Sequence, residues 1–298
     1  HLVGRAMIRR TRGERIFNIC NVTVLGVVAL MALYPFVYTI SMSLSSAAEA
    51  MRSGLHLYPR DISLTSFEMV LANPDIVSGF INSILRTVSG TALTLFFTCL
   101  TAYPLARKEL PHRGALLFLI LFTMIFSGGI VPNYLLIKNI GLIDSIWALI
   151  LPHMLTAFNV IVMKNFFQSI PESLAESAKI DGASEINILA RIYVPLSKPV
   201  LATVGLWTAV SHWNQWFDAM LYITNDENQV LQTFLQRIVI ESSVEMIEQG
   251  LVDPNVTQFT PETIKAATVV VTVLPMLLIY PFVQKYFVKG IMLGGVKE

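Results

Sequence analysis

The sequence is short of charge and nearly free of cysteine. Asp, Glu, Lys and Arg make up 14% of the 298 residues, against about 25% in an ordinary soluble domain. Hydrophobic residues make up 54%, and mean hydropathy is +0.62, too apolar for such a domain. The net charge of +1 says little by itself. Cys20 and Cys99 both lie in apolar runs, which excludes a disulfide framework and a thiolate metal site and leaves buried structural thiols. No His, Cys, Asp or Glu cluster has metal-ligand spacing, and no metal is expected. No G-x-x-x-x-G-K-[ST] is present, so the chain cannot cradle ATP phosphates in the usual P-loop way; any ATP-driven role needs a separate subunit. The long apolar runs contain no carboxylate, which weighs against an ion-coupled carrier or channel. They also lack the acid–base pair or nucleophile of an intramembrane enzyme.

What is there is a set of long apolar runs. Crossing ~30 Å of hydrocarbon takes about 20 mostly apolar residues in a helix. Six segments qualify: Ile16–Ala48, Phe80–Ala106, Gly114–Ile137, Ser145–Met163, Pro199–Phe217 and Ala266–Val283. Backbone polar groups cannot stay unpaired in lipid, so these runs must be helical. The first is far too long for a signal-peptide core and is read as a retained helix; the chain starts at His1, which leaves its true start open. Lys and Arg alternate between connections. Fifteen lie in the N-terminal segment, the second and fourth connections and the tail; five lie in the other three connections; Arg86 lies within a span. The positive-inside rule then places both termini and the fourth connection in the cytoplasm.

Two of the external connections are long. Glu49–Gly79 carries turn signals at Tyr58-Pro-Arg-Asp61 and Asn73-Pro-Asp75. Thr224–Lys265 has seven carboxylates against two cations, and Leu231, Phe234, Leu235 and Ile238 sit at helical spacing within Gln229–Gln249. That helix packs on its own bundle, lies on the membrane surface, or meets an external partner. Arg86, less than two turns from its helix end, is expected to snorkel to the interface. His153 and His212 read as hydrogen-bonded packing residues. Ser127-Gly-Gly129 and Pro132 predict a broken or closely packed third helix. Trp207, Trp213, Asn214, Trp216 and Asp218, with Asn82 and Asn159, are the candidate substrate pathway: aromatics stack on sugar rings, and amides and carboxylates bond hydroxyls. Trp at a membrane face is equally the ordinary aromatic belt.

The fourth connection is polar and patterned. Pro171 suits a first helical turn, Glu172 and Glu176 are one turn apart, Gly182 breaks the helix, and Ser184 caps a second short helix. Pro195 and Pro199 stop it. The result is two short helices meeting at a small elbow, Gly182-Ala183, which suits a groove on a partner or, on the blander reading, rests on lipid headgroups.

The run Glu176-Ser-Ala-Lys-Ile-Asp-Gly-Ala183, followed by Ile192-Tyr-Val-Pro195, resembles the EAA motif of bacterial ABC-importer permeases. Glu176, Ala178, Gly182, Ile192 and Pro195 match in register; Ser177 and Val194 depart mildly. The resemblance extends to Asn82-Ser83, to Ile130-Val-Pro-Asn-Tyr-Leu through Gly141-Leu-Ile-Asp-Ser, to Trp213-Asn214, and to the tail Lys289-Gly-Ile-Met-Leu-Gly-Gly-Val-Lys297, which is similar to the six-helix maltose-type permease. It implies an all-α polytopic protein with the type I importer bundle, in the bacterial cytoplasmic (inner) membrane. Residues 1–48 would hold the N-terminal segment and first span, and 49–298 the permease core. The core would carry a coupling loop at 169–199, an external scoop-like loop at 224–265, and a cytoplasmic tail at 288–298. It implies docking on the ATPase subunit through Glu172, Glu176, Ala178, Asp181, Gly182, Ala183 and Pro195, with a tail contact through Gly294, Gly295 and Lys297. The implied partners are a second homologous permease, two nucleotide-binding ATPase subunits holding ATP and Mg, an extracytoplasmic solute-binding protein and the lipid bilayer, with no nucleic acid. The chain itself would bind no cofactor and catalyse nothing. Leu231-Gln-Thr-Phe-Leu-Gln-Arg237 is similar to permeases for complex oligo- or polysaccharides, alginate-like glycans among them. The alternative is an ion-gradient-driven transporter or channel subunit.

Overall fold

The computed structural model describes residues 12–240 and 260–295. Every regular element among them is helical, and an isolated bridge joins Ser45 to Ile62. In chain order the helices are α1 (Arg12–Ser43), α2 (Ala47–Ala50), α3 (Thr65–Ala72), α4 (Pro74–Ala106), α5 (Arg113–Ile125), α6 (Ile130–Asn139), α7 (Ile146–Ile150), α8 (Ala157–Gln168), α9 (Glu172–Ile180), α10 (Glu185–Ile188), α11 (Val194–Leu196), α12 (Lys198–Asn214), α13 (Phe217–Tyr222), α14 (Leu231–Ile240) and α15 (Pro261–Gly295). The chain divides into two compact units, whose described parts are residues 12–70 with 260–270, and residues 71–240 with 271–295.

In the first unit, α1 is apolar on every side, and its side chains from Arg12 to Tyr38 are exposed. A helix of this kind, without a polar face, needs lipid or protein around it. The start of α15 is fixed by a reciprocal cap: Thr263 N–H donates to Thr260 Oγ1 (3.2 Å) and Thr260 N–H to Thr263 Oγ1 (3.0 Å). Ser66 Oγ reaches the same Thr263 hydroxyl at 2.9 Å, holding α3 to it.

The second unit is built around α4. Asn73 caps it, accepting from Asp75 N–H at 2.9 Å, and Pro74 takes the first turn, where a missing N–H costs nothing. Its buried face includes Gly79, Ser83, Arg86, Gly90, Thr94, Thr98 and Ala102, a seam of mostly small residues spaced three or four apart. Small side chains let helices approach closely, and α8, α12 and α14 pack along this helix. The approach is closest at Gly90, where a Cβ would lie 2.6 Å from the buried His212 ring, and at Gly79, where it would lie 2.9 Å from Phe234. Here α14 takes the packed option: Leu231, Phe234 and Ile238 are buried, and Ser83 Oγ accepts from Leu231 N–H at 2.9 Å. The remainder of the expected Gln229–Gln249 helix beyond residue 240 lies largely outside the described residues.

Among the described residues three helices are individually long and apolar enough to cross a membrane: α1, α4 and α15 over Pro261–Ile279. Three further crossings exist only if each of three bent pairs is one span: α5 with α6 (bent 111°), α7 through His153 with α8 (48°), and α10–α11 with α12 (82°). The break expected at Ser127-Gly-Gly129 is real: α5 stops at Ile125, Gly129 adopts φ +88°, and α6 restarts at Ile130. It is a break and not a tight contact, since around Gly128 and Gly129 a Cβ would meet only Pro132 of its own turn, at 3.9–4.0 Å. The expected continuous run Ser145–Met163 is instead interrupted. Pro152 sits in the 3-10 turn Leu151–His153, and Thr156 starts a new helix by accepting from Asn159 N–H. The fifth run stops at Asn214, with Gln215 extended, before α13.

Gly90→Val should lower the thermal stability of the detergent-purified protein by ~1–3 kcal/mol through overpacking against His212. Gly26→Val in α1, where a Cβ meets nothing within 4 Å, should leave it unchanged. Equal effects would remove the close approach as the reason for a glycine at position 90.

Candidate functional site

The elbow forms as its sequence dictates. The α9 helix ends in a Schellman motif: Ala183 N–H reaches Ala178 O (2.9 Å), Gly182 N–H reaches Lys179 O (3.0 Å), and Gly182 takes φ +82°. Ser184 then caps α10 by accepting from Asn187 N–H at 3.4 Å. Ala175 is fully buried and Ala178 and Ala183 are half-buried, all packed with Ile188, Leu189 and Tyr193 on Ala102, Tyr103 and Leu105 of α4 and Phe167 of α8. The outer side carries Glu172, Glu176, Asp181, Gly182 and Pro195, all exposed. It also carries two apolar side chains that the motif does not single out, Ile180 at 88% and Ile186 at 73% exposure. Each is next in sequence to a carboxylate, Ile180 to Asp181 and Ile186 to Glu185. Ile180 lies within the quoted run but is not one of its matching positions, and Ile186 lies outside it; their signal was an apolar residue on each flank of a polar turn.

Under the elbow lies Glu185. Its carboxylate accepts from Tyr103 Oη (2.5 Å) and Arg107 Nη2 (3.2 Å) through Oε2, and pairs with Lys179 Nζ (2.8 Å) through Oε1. The Lys179 ammonium, followed by the Tyr103 hydroxyl, holds the Glu185 carboxyl below its ordinary range. The contact is therefore intact near neutral pH and is lost only as pH falls through that lowered value.

A second cluster sits deep in the bundle. Arg86, expected to snorkel, does not: its side chain is 0% exposed. Nη2 pairs with Asp218 Oδ2, and Nη1 donates to Gln215 O at 2.8 Å. Asp218 opens α13, and its other oxygen accepts from Ala219 N–H at 2.8 Å. His153 Nε2 lies 3.5 Å from Asp218 Oδ2, and its ring meets His212 edge-on at 6.3 Å. The reason for burial is that a carboxylate and a freed carbonyl are both within reach, so retreat to an interface gains nothing. The sequence signal was one cation inside a span and one carboxylate at the border of another.

Residues 100–293 match the family described as the binding-protein-dependent transport system inner membrane component. The chain belongs to that family. The permease is 42% identical over 294 residues to Protein LplC of Bacillus subtilis, covering 97% of this chain and 98% of that one. It is 42% identical over 287 residues to the polygalacturonan/rhamnogalacturonan transport system permease protein YtcP of the same organism, covering 95% and 99%. Its fold superposes with a TM-score of 0.87, at 36% identity and over 93% and 99% of the two chains, on a chain of a bacterial ABC transporter involved in import of the acidic polysaccharide alginate.

The structure divides the residues considered for a substrate pathway. Trp207, Asn214 and Trp216 line one open hollow of about 440 Å³ with Ser211, Gln215 and Phe217. The others make internal contacts. Trp213 is buried, with Nε1 donating to Thr272 O (3.1 Å) and its ring edge-on to Phe80. Asn82 Nδ2 donates to Glu227 O (2.8 Å) and Gln229 O (2.9 Å). Asn159 accepts from Trp207 Nε1 at 2.7 Å and lies 3.4 Å from Thr208. Asp144, in the matching Gly141–Ser145 stretch, accepts from Thr224 Oγ1 (2.6 Å) and from the Thr224 and Asn225 N–H groups, which pins the start of the 224–265 segment. Gly294 and Gly295 end α15, and Lys297 lies outside the described residues.

Arg86→Ala, which strands a buried Asp218, should cost ~3–5 kcal/mol, while Arg86→Met combined with Asp218→Leu should cost much less. Thermal unfolding of both in detergent checks this; equal losses would mean that the side-chain volume, not the charge pairing, matters.

Proposed function

We propose that this chain is one of two membrane-spanning subunits of an ATP-driven importer for a carbohydrate, of the complex oligo- or polysaccharide kind. The observation that carries the reading is similarity along nearly the whole chain to a polygalacturonan/rhamnogalacturonan permease and to a chain of an alginate importer. The pairs α5 with α6 and α7 with α8 are each one span and α12 alone is another, giving six with α1, α4 and α15, and both termini and the elbow are cytoplasmic by the positive-inside rule. A homologous second permease completes the pathway, and an extracytoplasmic binding protein delivers the sugar. A related fold, 16% identical with a TM-score of 0.52, belongs to an alginate transporter in complex with a pentasaccharide-bound periplasmic protein, which fits such a delivery step.

Two ATPase subunits bind ATP and Mg and dock on the elbow. Glu172, Glu176 and Asp181 offer charge, Gly182-Ala183 the knob, and Ile180 and Ile186 the apolar contact, while Ala178 and Pro195 shape the turn. The tail through Gly294, Gly295 and Lys297 makes a second contact there. ATP must favour one arrangement of the complex over the other for transport to follow. No catalytic residue is assigned to this chain. The hollow beside Trp207, Asn214 and Trp216 is the candidate sugar contact, with Asn159 bonded to Trp207 behind it; Asn82, Trp213 and Asp218 belong to the same proposed pathway, Asp218 lining a separate hollow of about 480 Å³ with His153 and Gln215. The ion-driven alternative loses ground because Asp218, the one buried carboxylate among the described residues, is already neutralised by Arg86.

Affinity purification of the chain from its membranes should bring down a second permease and a P-loop ATPase, and the reconstituted complex should take up an acidic oligosaccharide only with ATP and binding protein. Uptake driven by an ion gradient without ATP would overturn the reading. Gly182→Trp should preserve insertion and abolish ATP-driven uptake, because the knob no longer fits; normal uptake by that variant would refute the docking assignment.

A further inference from the structure

We propose that Glu185 is the positioning residue that locks the elbow onto α4, so that displacement of the elbow is delivered to the bundle instead of being absorbed within the loop. The inference rests on the reading of this chain as an ATP-driven permease and adds a residue to it.

The packing beneath the elbow is apolar. Ala175, Ala178 and Ala183 join one apolar cluster with Ala102, Tyr103, Leu105 and Phe167. Such contacts are non-directional. They keep the elbow on the bundle without fixing its rotation or its position along α4. Hydrogen bonds are directional, and Glu185 supplies them to three elements at once. Oε1 holds Lys179 in the last turn of α9, across the Gly182 turn; Glu185 itself begins α10; Oε2 holds Tyr103 and Arg107 at the end of α4. The two short helices and the long one therefore meet on a single carboxylate.

The receiving end is rigid. Tyr103 is 7% exposed, and its ring is edge-on to Tyr193 at 5.0 Å and to Phe167 at 6.5 Å, so its hydroxyl cannot wander. Arg107 lies over the Tyr103 ring at 4.9 Å and the Tyr193 ring at 5.9 Å, and donates to the Tyr103 hydroxyl as well. Tyr193 belongs to the π-helical turn Leu189–Tyr193, a widened turn of a kind that recurs where function is at stake. An exposed ion pair between two flexible chains is worth little. This one differs because its carboxylate, itself half-exposed, is shared by a buried phenol, a stacked guanidinium and an ammonium, which ties α9 and α10 to the end of α4.

The test uses the whole transporter in proteoliposomes, with binding protein and its sugar, and reads two rates: ATP hydrolysed and sugar moved. Glu185→Gln should assemble with wild-type yield while the sugar moved per ATP falls about fivefold. Tyr103→Phe should lower the same ratio, and Tyr103→Phe combined with Glu185→Gln should be no worse than Glu185→Gln alone, since both remove one link. A wild-type ratio in Glu185→Gln would overturn the proposal. So would additive losses in the double variant, or ATP hydrolysis and transport falling in proportion with the yield of complex, which marks a merely structural role. If the wild-type complex itself moves no sugar with ATP, it is the functional reading that fails.

Discussion

A helix that stops inside an apolar environment leaves carbonyl and N–H groups that lipid cannot satisfy, and the second unit depends on how that debt is settled around Arg86. The α12 helix ends at Asn214; the next carbonyl, that of Gln215, accepts from Arg86 Nη1, and the carboxylate opening α13 pairs with Nη2. The same carboxylate meets His153 in the 3-10 turn that interrupts α7 and α8. One cation on the unbroken helix α4 thus supports two broken ones. The seam of small residues on α4 makes this possible. Gly90 lets His212 lie against the backbone one turn from Arg86, which brings α12 close enough for its end to be reached.

At the other end of α4 the same helix carries Tyr103 and is capped by Arg107, so a single continuous element, with Pro104 in its last turn, runs from the buried junction to the elbow. The elbow is capped at both ends of its turn by local hydrogen bonds, Ala183 to Ala178 on one side and Asn187 to Ser184 on the other. It keeps its shape without help from the bundle. Its attachment is a separate matter, made of apolar packing plus the one carboxylate of Glu185. A capped turn, a directional tie and a continuous helix are the parts a mechanical linkage requires. The charge chemistry of the two ends differs accordingly. Around Glu185 solvent is near and the carboxyl is held ionised by an ammonium and a hydroxyl. The Arg86 side chain is fully buried and its pairing is complete but for Nε.

Much of this was legible in the chain. The long apolar runs of α1, α4 and α15 follow from composition and length, because lipid permits few alternatives to a helix. The elbow followed from short-range chemistry: Gly182 where a positive φ is needed, Ser184 where a cap is needed, Pro171 where a donor can be spared. The break at Ser127-Gly-Gly129 was visible for the same reason, as a backbone preference written in three adjacent residues. The interruptions at Leu151–His153 and Gln215 were not foreseen as breaks. Pro152 is compatible with a kinked continuous helix, and nothing in Asn214-Gln215-Trp216 forbids one.

The sequence by itself determined the long apolar helices, the turn of the elbow, the break at Ser127-Gly-Gly129, and which connections carry positive charge, since those depend on neighbours a few residues apart. The tertiary structure alone decided the pairings. Arg86 finds Asp218 across 132 positions, and Tyr103 finds Glu185 across 82. Periodicity tells which face of a helix is buried but not what faces it, so a cation in an apolar run announces that a partner exists without naming it. Whether Arg86 retreats to an interface or is buried depends on the free energy of a pair assembled from three helices, and only the packed bundle supplies that sum.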